Sequence, residues 1–461
     1  AGPGRPFLFL MTSLRIKVCG MTDVDNLLDV LDLGVEAIGV ISCPSSPRNV
    51  TVDRVRTLLD AAQSAAPHAE RHWVVRDVPV STLDAALASG LNCTHVQLHG
   101  PYSEEAAQTV TGHQRHAGGG DTSGGGDSVE TALRLARQYH KIRGDSGRVK
   151  FLSLKKGYHG THIGGASVNG NANFRAQYEP LLPGCYHIPA PYTYRNPFDE
   201  TDPARLAQLC ASALADEIAF QGPDTIAAFI MEPILGAGGV IPPHESFMPM
   251  VRDICDRNGI LLIADEVITG FGRTGSWSGS RHWGVKPDFA CTAKAITNGY
   301  FPFGAVMISP MVAEVFEGDE TGKAAIGHGY TYSGHPVGAA AALACLAETK
   351  RLNVTENAAA RGRQVHEGCL RLQEKYDLIG DVRGGHGLMT AMELVSDRQT
   401  KAPVDKSVPL ALQETTYQNG AMVRVSGPNV ILSPALVISD TEIDAVIAAL
   451  DKGFAAASQI Q

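Results

Sequence analysis

The stretch HQRHAGGGDTSGGGD, residues 113–127, separates two unrelated patterns of apolar residues. It is polar, contains the glycine runs Gly118–Gly120 and Gly124–Gly126, and has neither a helical nor a strand period. Such a stretch reads as a flexible connection. The 461 residues are enough for about three domains at roughly 150 residues each. The chain is therefore expected to fold as separate units. Residues 101–121 read as the linker, and the second glycine run belongs to the downstream unit.

Upstream of the seam, residues 1–11 are set aside as leader sequence. Met11 reads as a natural start, and the apolar run Phe7–Met11 is too short for a signal-peptide core. Strand and helix patterns then alternate. LRIKVCG, GVEAIGVIS, HWVVRDV and CTHVQLHG read as strands. Helices are expected near Val24–Leu33, Val52–Ala65 and Ser81–Ser89. This alternation predicts a parallel α/β sheet or barrel.

Composition excludes several classes of function. Lys+Arg 39 against Asp+Glu 48 gives −9, which argues against nucleic-acid binding. No run approaches the ~20 apolar residues of a membrane helix. Nine cysteines lie singly with no CxxC pair. They predict reduced thiols in a cytoplasmic protein, and no metal site is assigned.

Downstream of the seam, four features carry chemistry. Thr122–Asp127 runs into SVETALRLARQYH, so a Gly-rich turn feeds a helix N-terminus. Free N–H groups and the helix dipole there favour a phosphate, although many linkers also end this way. Ile260–Ala264 is a continuous apolar strand ending in Asp265-Glu266-Val267. That strand aims a carboxylate at the crevice where α/β sheets bind ligands, unless the Asp only caps the next turn. Lys294 ends another short apolar run, between Ala293 and Ala295. Burial would lower its pKa and make it a nucleophilic amine; a surface lysine is the alternative. Finally, Gly329–Pro336 precedes the small-residue helix VGAAAALACL, as phosphate contact or plain capping.

Together these residues resemble the class III, fold-type I aminotransferases that use pyridoxal 5′-phosphate. The matching stretches are Gly157-Tyr158-His159-Gly160, Met231-Glu232-Pro233, Asp265-Glu266-Val267, Lys294 in AKAITNGYFP, Thr331 in YTYSGHP, and Arg383–Leu388. The resemblance implies a large α/β domain over residues 122–350 and an α+β small domain over 351–461, where Ala358–Tyr376 reads as an amphipathic helix. It implies that Lys294 forms a Schiff base with the cofactor and shuttles a proton. Asp265 would pair with the pyridine nitrogen, and Glu232 would stand near the ring hydroxyl. Val267 and Tyr158 would cover the two ring faces, and the backbones of Gly125 and Gly126 would hold the phosphate. Thr331 would reach the phosphate of a neighbouring subunit, so a homodimer, or a dimer of dimers, is implied. Arg424, in Gly420–Arg424, would bind the acceptor's carboxylate and swing aside for an amine without one. The flavour of the motifs resembles ω-amino acid or amine:pyruvate aminotransferases, with an amine donor and pyruvate or a similar keto acid as substrates. His159 stays open between core and site.

The segment 12–100 resembles the first half of phosphoribosylanthranilate isomerase, a (β/α)8 barrel. Lys17–Thr22, Ser46-Pro47-Arg48 and Val96–Gly100 carry this likeness. It implies Cys19 as general base, with Arg48 and His99 holding substrate. Four strand–helix units cannot close an eight-stranded barrel, and the second half is absent after Gly100. Two departures mark the larger resemblance. The half barrel stands where class III enzymes carry about a hundred further residues, and Gly126 occupies the place of their phosphate-loop serine. The competing readings are therefore a chimeric shell that binds cofactor without turnover, and isomerase activity of the N-terminal segment.

Overall fold

The computed structural model describes residues 17–32, 35, 37–43, 48–76, 79, 82, 85–86, 89–99, 121–122, 124–319 and 321–460. The chain divides into two compact units, Ala1–His116 and Ala117–Gln461. Helices of nine residues or more are numbered in chain order.

In the first unit, β1 (Lys17–Cys19), β2 (Ala37–Ser42), β3 (Glu70–Arg76) and β4 (His95–His99) form a parallel sheet in the order β1-β2-β3-β4. Helix α1 (Val24–Asp32) buries Leu27 and Leu31, one turn apart. Helix α2 (Val52–Ala65) starts at Thr51, whose hydroxyl accepts from the Arg54 N–H. Its Val55, Leu58, Leu59 and Ala62 are spaced to face the sheet, and they join Ile38, Val40 and Trp73 in one core. The Trp73 indole donates to Ser42 Oγ at 3.0 Å, which satisfies the one polar atom of that ring. These strands and helices make a parallel α/β unit with two sheet edges.

The second unit is built on a seven-stranded sheet. Its strands are β5 (Asp121–Thr122), β6 (Lys150–Leu154), β7 (Cys185–Ile188), β8 (Ile226–Met231), β9 (Leu261–Asp265), β10 (Phe289–Thr292) and β11 (Gly304–Ile308). Their order is β5-β11-β10-β9-β8-β6-β7, and β11 runs antiparallel to both neighbours. Strands β8 and β9 are buried along their whole length, which explains their unbroken apolar sequences. Phe229, Met231 and Leu262 pack on one face against α4 (Pro203–Gln221) and α5 (Phe247–Asn258). Ile230, Ile263 and Phe289 pack on the other against α3 (Gly125–Ile142). The strand order switches direction between β6 and β8, and ligands bind beyond the C-terminal ends of strands at such a point.

An antiparallel sheet comes next, with β12 (Ile379–Gly384), β13 (Thr390–Leu394), β14 (Arg424–Ser426) and β15 (Asn429–Leu432) in the order β12-β13-β15-β14. Helices α6 (Pro336–Arg351), α7 (Val354–Lys375), α8 (Ser407–Gln418) and α9 (Asp440–Ala457) complete the unit. Ser439 opens α9 with a reciprocal cap to Glu442, and Ile443, Leu450 and Phe454 bury its inner face. Among the described residues no helix is long and apolar enough to cross a membrane.

Candidate active site

Three adjacent parallel strands deliver three ionisable side chains to one end of the sheet. Met231 pairs with Ala264, and Cys291 pairs with Asp265. Glu232, Asp265 and Lys294 therefore leave the C-terminal ends of β8, β9 and β10 side by side. Lys294 follows Ala293 with a φ of +48°, a backbone conformation uncommon for a residue bearing a β-carbon.

Asp265 is buried and has both oxygens engaged. Oδ1 accepts from the Val267 N–H at 3.1 Å, and Oδ2 lies 2.8 Å from His159 Nδ1. His159 comes from the loop after β6, on the far side of the switch point. Its Nε2 is buried with no partner among the described residues. The Glu232 carboxylate accepts from the Tyr158 N–H and the Gly236 N–H, each at 2.9 Å. Burial, with Asp265 nearby, pushes its pKa up to about 7, against the opposing pull of His159 and the two N–H donors.

The Lys294 residue is exposed at the mouth of the site, yet the protein around its amine still acts on it. Desolvation lowers its pKa from the ordinary lysine value, Asp265 and Glu232 oppose that, and the Arg424 charge adds to the lowering. Arg424, the exposed first residue of β14, is thus within electrostatic reach of Lys294.

The first turn of α3 closes another side. Its N-cap is Gly124, which offers no side chain, so the first N–H groups are not covered by a capping hydroxyl or carboxylate. A β-carbon on Gly125 would stand 2.9 Å from both Val267 methyls, and one on Gly126 would stand 2.9 Å from the His162 ring. Ser128 Oγ donates to the Thr292 carbonyl at 3.0 Å and ties this turn to the end of β10, two residues before Lys294. Tyr158 is half-buried, with its ring edge-on to Phe174 at 4.8 Å between centroids. Thr331 stands apart from this cluster, exposed in the turn before α6. Its neighbours pin that loop to α3: Tyr330 Oη donates to the Asp127 carbonyl at 3.4 Å, and His328 Nε2 lies 2.8 Å from Thr131 Oγ1.

The sequence profile of the aminotransferase class-III family matches residues 81–454. Putrescine–pyruvate aminotransferase of Pseudomonas aeruginosa is 37% identical over 328 residues, 71% of this chain and 70% of that protein. The chain belongs to the class III aminotransferases. Taurine–pyruvate aminotransferase of Bilophila wadsworthia is 34% identical over 346 residues, 73% of this chain and 75% of that protein. The crystal structure of an amine transaminase from an uncultivated Pseudomonas species, with PLP bound, superposes with a TM-score of 0.73 at 43% identity. That superposition covers 82% of this chain and 86% of the other. The large sheet is the fold-type I sheet.

As a class III aminotransferase the protein depends on pyridoxal 5′-phosphate, and its residues fit that cofactor. A buried carboxylate at the end of β9, an uncapped helix start with glycines that leave no room for a β-carbon, and a perturbed lysine amine lie at one end of the sheet.

The N-terminal candidates belong to the first unit. Cys19 ends β1 and His99 ends β4, but their side chains, like Ser46 and Pro47, fall outside the described residues. Arg48 is exposed, and its Cδ lies 2.6 Å from where a β-carbon on Gly20 would be. Two buried residues beside the candidate site were not assigned a role from sequence. His159 could have been found from its place in the Tyr158-His159-Gly160 motif, but only the fold brings it to Asp265. Glu266 is buried and accepts from Thr269 Oγ1, from the Gly279 N–H and from the Ser280 N–H and hydroxyl. In sequence it is one acidic residue beside another. Glu266→Ala is expected to destabilise the fold by about 3 kcal/mol or more, because it strands several buried donors. A lower denaturant midpoint would register this, and an unchanged midpoint would remove Glu266 from that role.

Proposed function

We propose that this aminotransferase moves an amino group from an amine or ω-amino acid to pyruvate or a similar keto acid, with Lys294 as the catalytic residue. The observation that carries the reading is the delivery of Glu232, Asp265 and Lys294 side by side by three adjacent strands, to a place where desolvation lowers the lysine pKa although both carboxylates oppose it. Lowering raises the fraction of neutral amine near pH 7, which is the nucleophilic form.

When bound, pyridoxal phosphate supplies a carbonyl carbon that takes up an amine and a ring that withdraws electrons from it. The chain's own residues then divide the work. Lys294 Nζ holds the cofactor and later carries a proton away from the substrate carbon and back. Asp265, fixed by His159, keeps a negative charge at the pyridine nitrogen. Glu232 lines the pocket near the ring hydroxyl, Val267 and Tyr158 cover the ring faces, and the Gly125 and Gly126 N–H groups hold the phosphate. Arg424 takes the acceptor's carboxylate through paired hydrogen bonds and turns away for donors that have none.

The active unit is proposed to be a homodimer in which Thr331 contacts the neighbour's phosphate. Exposed apolar groups around that loop support this: Tyr300, Tyr332, Val337 and Leu343 all face outward. The scattered cysteines support a reduced, cytoplasmic setting.

The test is to load the protein with cofactor and offer putrescine, taurine and β-alanine with pyruvate, measuring alanine formed. Alanine from at least one donor is expected, and none from any donor would overturn the reading. Arg424→Ala is expected to raise the KM for pyruvate by roughly tenfold to a hundredfold while changing that for the amine little. Equal rises for both substrates would count against the acceptor role.

A further inference from the structure

We propose that a cavity of about 510 Å³ binds a small oxyanion bearing carboxylate or phosphate groups. It shares no lining residue with the candidate active site. Lys156, Arg195, Lys401 and Glu393 line it, with the amides of Asn171 and Asn173. Three cations thus face one carboxylate, and that carboxylate is already taken. Glu393 accepts from Tyr192 Oη, from Arg195 Nε at 2.6 Å and from Arg383 Nη1 at 3.2 Å.

Of the cations, Lys156 is left over. Lys401 Nζ donates to the Tyr194 carbonyl at 2.7 Å, and Arg195 Nη2 donates to the Lys401 carbonyl at 2.8 Å. Lys156 Nζ lies 4.9 Å above the Tyr192 ring and has no hydrogen bond or ion pair among the described residues. Burial lowers its pKa, Glu393 offsets this in part, and Arg383 and Arg195 add to the lowering. A partly desolvated ammonium with no hydrogen-bond acceptor, and with its nearest carboxylate shared among two arginines and a tyrosine, is an arrangement that a bound anion relieves.

The backbone carries an independent sign. Lys156 has a φ of +68°, a conformation that suits glycine or asparagine better than lysine. The neighbouring loop is shaped to it: a β-carbon on Gly238 would lie 2.7 Å from the Lys156 carbonyl oxygen and 3.1 Å from its Cβ. Asn171 Oδ1 accepts from the Asn173 N–H at 3.1 Å, which leaves the Asn171 amide nitrogen as a donor. Three cations and the amide donors, with the one lining carboxylate already engaged, favour an oxyanion over a cation.

The test is calorimetric titration of the cofactor-loaded enzyme in phosphate-free buffer, once with inorganic phosphate and once with succinate. Loading keeps phosphate out of the cofactor's own site. Saturable binding of at least one probe is expected, and which one binds decides between phosphate and carboxylate ligands. Lys156→Gln should weaken that binding by roughly tenfold or more, and Lys156→Arg should retain it. Matching circular-dichroism melts for the three proteins would show that folding is not the cause. Failure of both probes to bind the unaltered enzyme, or undiminished binding by the folded Lys156→Gln protein, would overturn the proposal.

Discussion

Lys294→Ala is expected to abolish transamination and the visible absorbance that marks cofactor linked to a lysine. The loss of proton transfer alone is worth roughly a hundredfold to ten-thousandfold in rate, and the loss of the covalent anchor adds to it. The site's electrostatics set this expectation. Lys294 sits beyond the end of β10 with two carboxylates beside it, yet desolvation outweighs them and its pKa falls. An amine in that state gives up its proton more readily than an ordinary lysine.

The substitution should spare the fold. Lys294 is exposed and heads a short 3-10 turn, and Ile296, not Lys294, is the buried residue of that turn. Replacing it with alanine creates no cavity. The protein should therefore still bind cofactor through the α3 N-terminus and Asp265, without covalent attachment, and dialysis should strip it faster than from the unaltered enzyme. Absorbance before and after dialysis, together with alanine formation from pyruvate, checks both statements. Turnover retained by the alanine protein would refute Lys294 as the catalytic residue.

Much of this site was legible because chemistry and local structure share the same residues. The apolar run Ile260–Ala264 announces a strand buried on both faces, and the carboxylate at its end caps the next turn through the Val267 N–H while its other oxygen meets His159. Gly125 and Gly126 signal a close approach, and the structure supplies the reason in the Val267 methyls and the His162 ring. Long-range pairing was not legible. Nothing near His159 in sequence points to Asp265, 106 positions away. The β6–β8 switch brings them together, and strand order is fixed by burial over the whole sheet and not by any local pattern. Lys156 was hidden for the opposite reason. A lysine following a lysine reads as surface charge, and only its backbone conformation and its lack of a partner mark it out.

Asp265→Asn is expected to lower kcat by roughly a hundredfold to a thousandfold with little loss of stability. The replacement is nearly isosteric. Its amide oxygen can still accept from the Val267 N–H, and its amide nitrogen can donate to His159 Nδ1 once that ring carries its proton on Nε2, so both contacts can be kept. What disappears is a buried negative charge. That charge raises the Lys294 pKa against desolvation, so its removal should move the Lys294 titration to lower pH. It also raises the Glu232 pKa, so Glu232, held at about 7, should titrate at lower pH as well. Both shifts have the same sign, because each group loses a neighbouring anion that favoured its protonated form. The pH dependence of kcat for the variant should accordingly move toward acid, while the denaturant midpoint stays close to that of the unaltered protein. A merely structural aspartate would show the reverse, a lowered midpoint with an unmoved pH profile, and that outcome would take Asp265 out of the catalytic machinery.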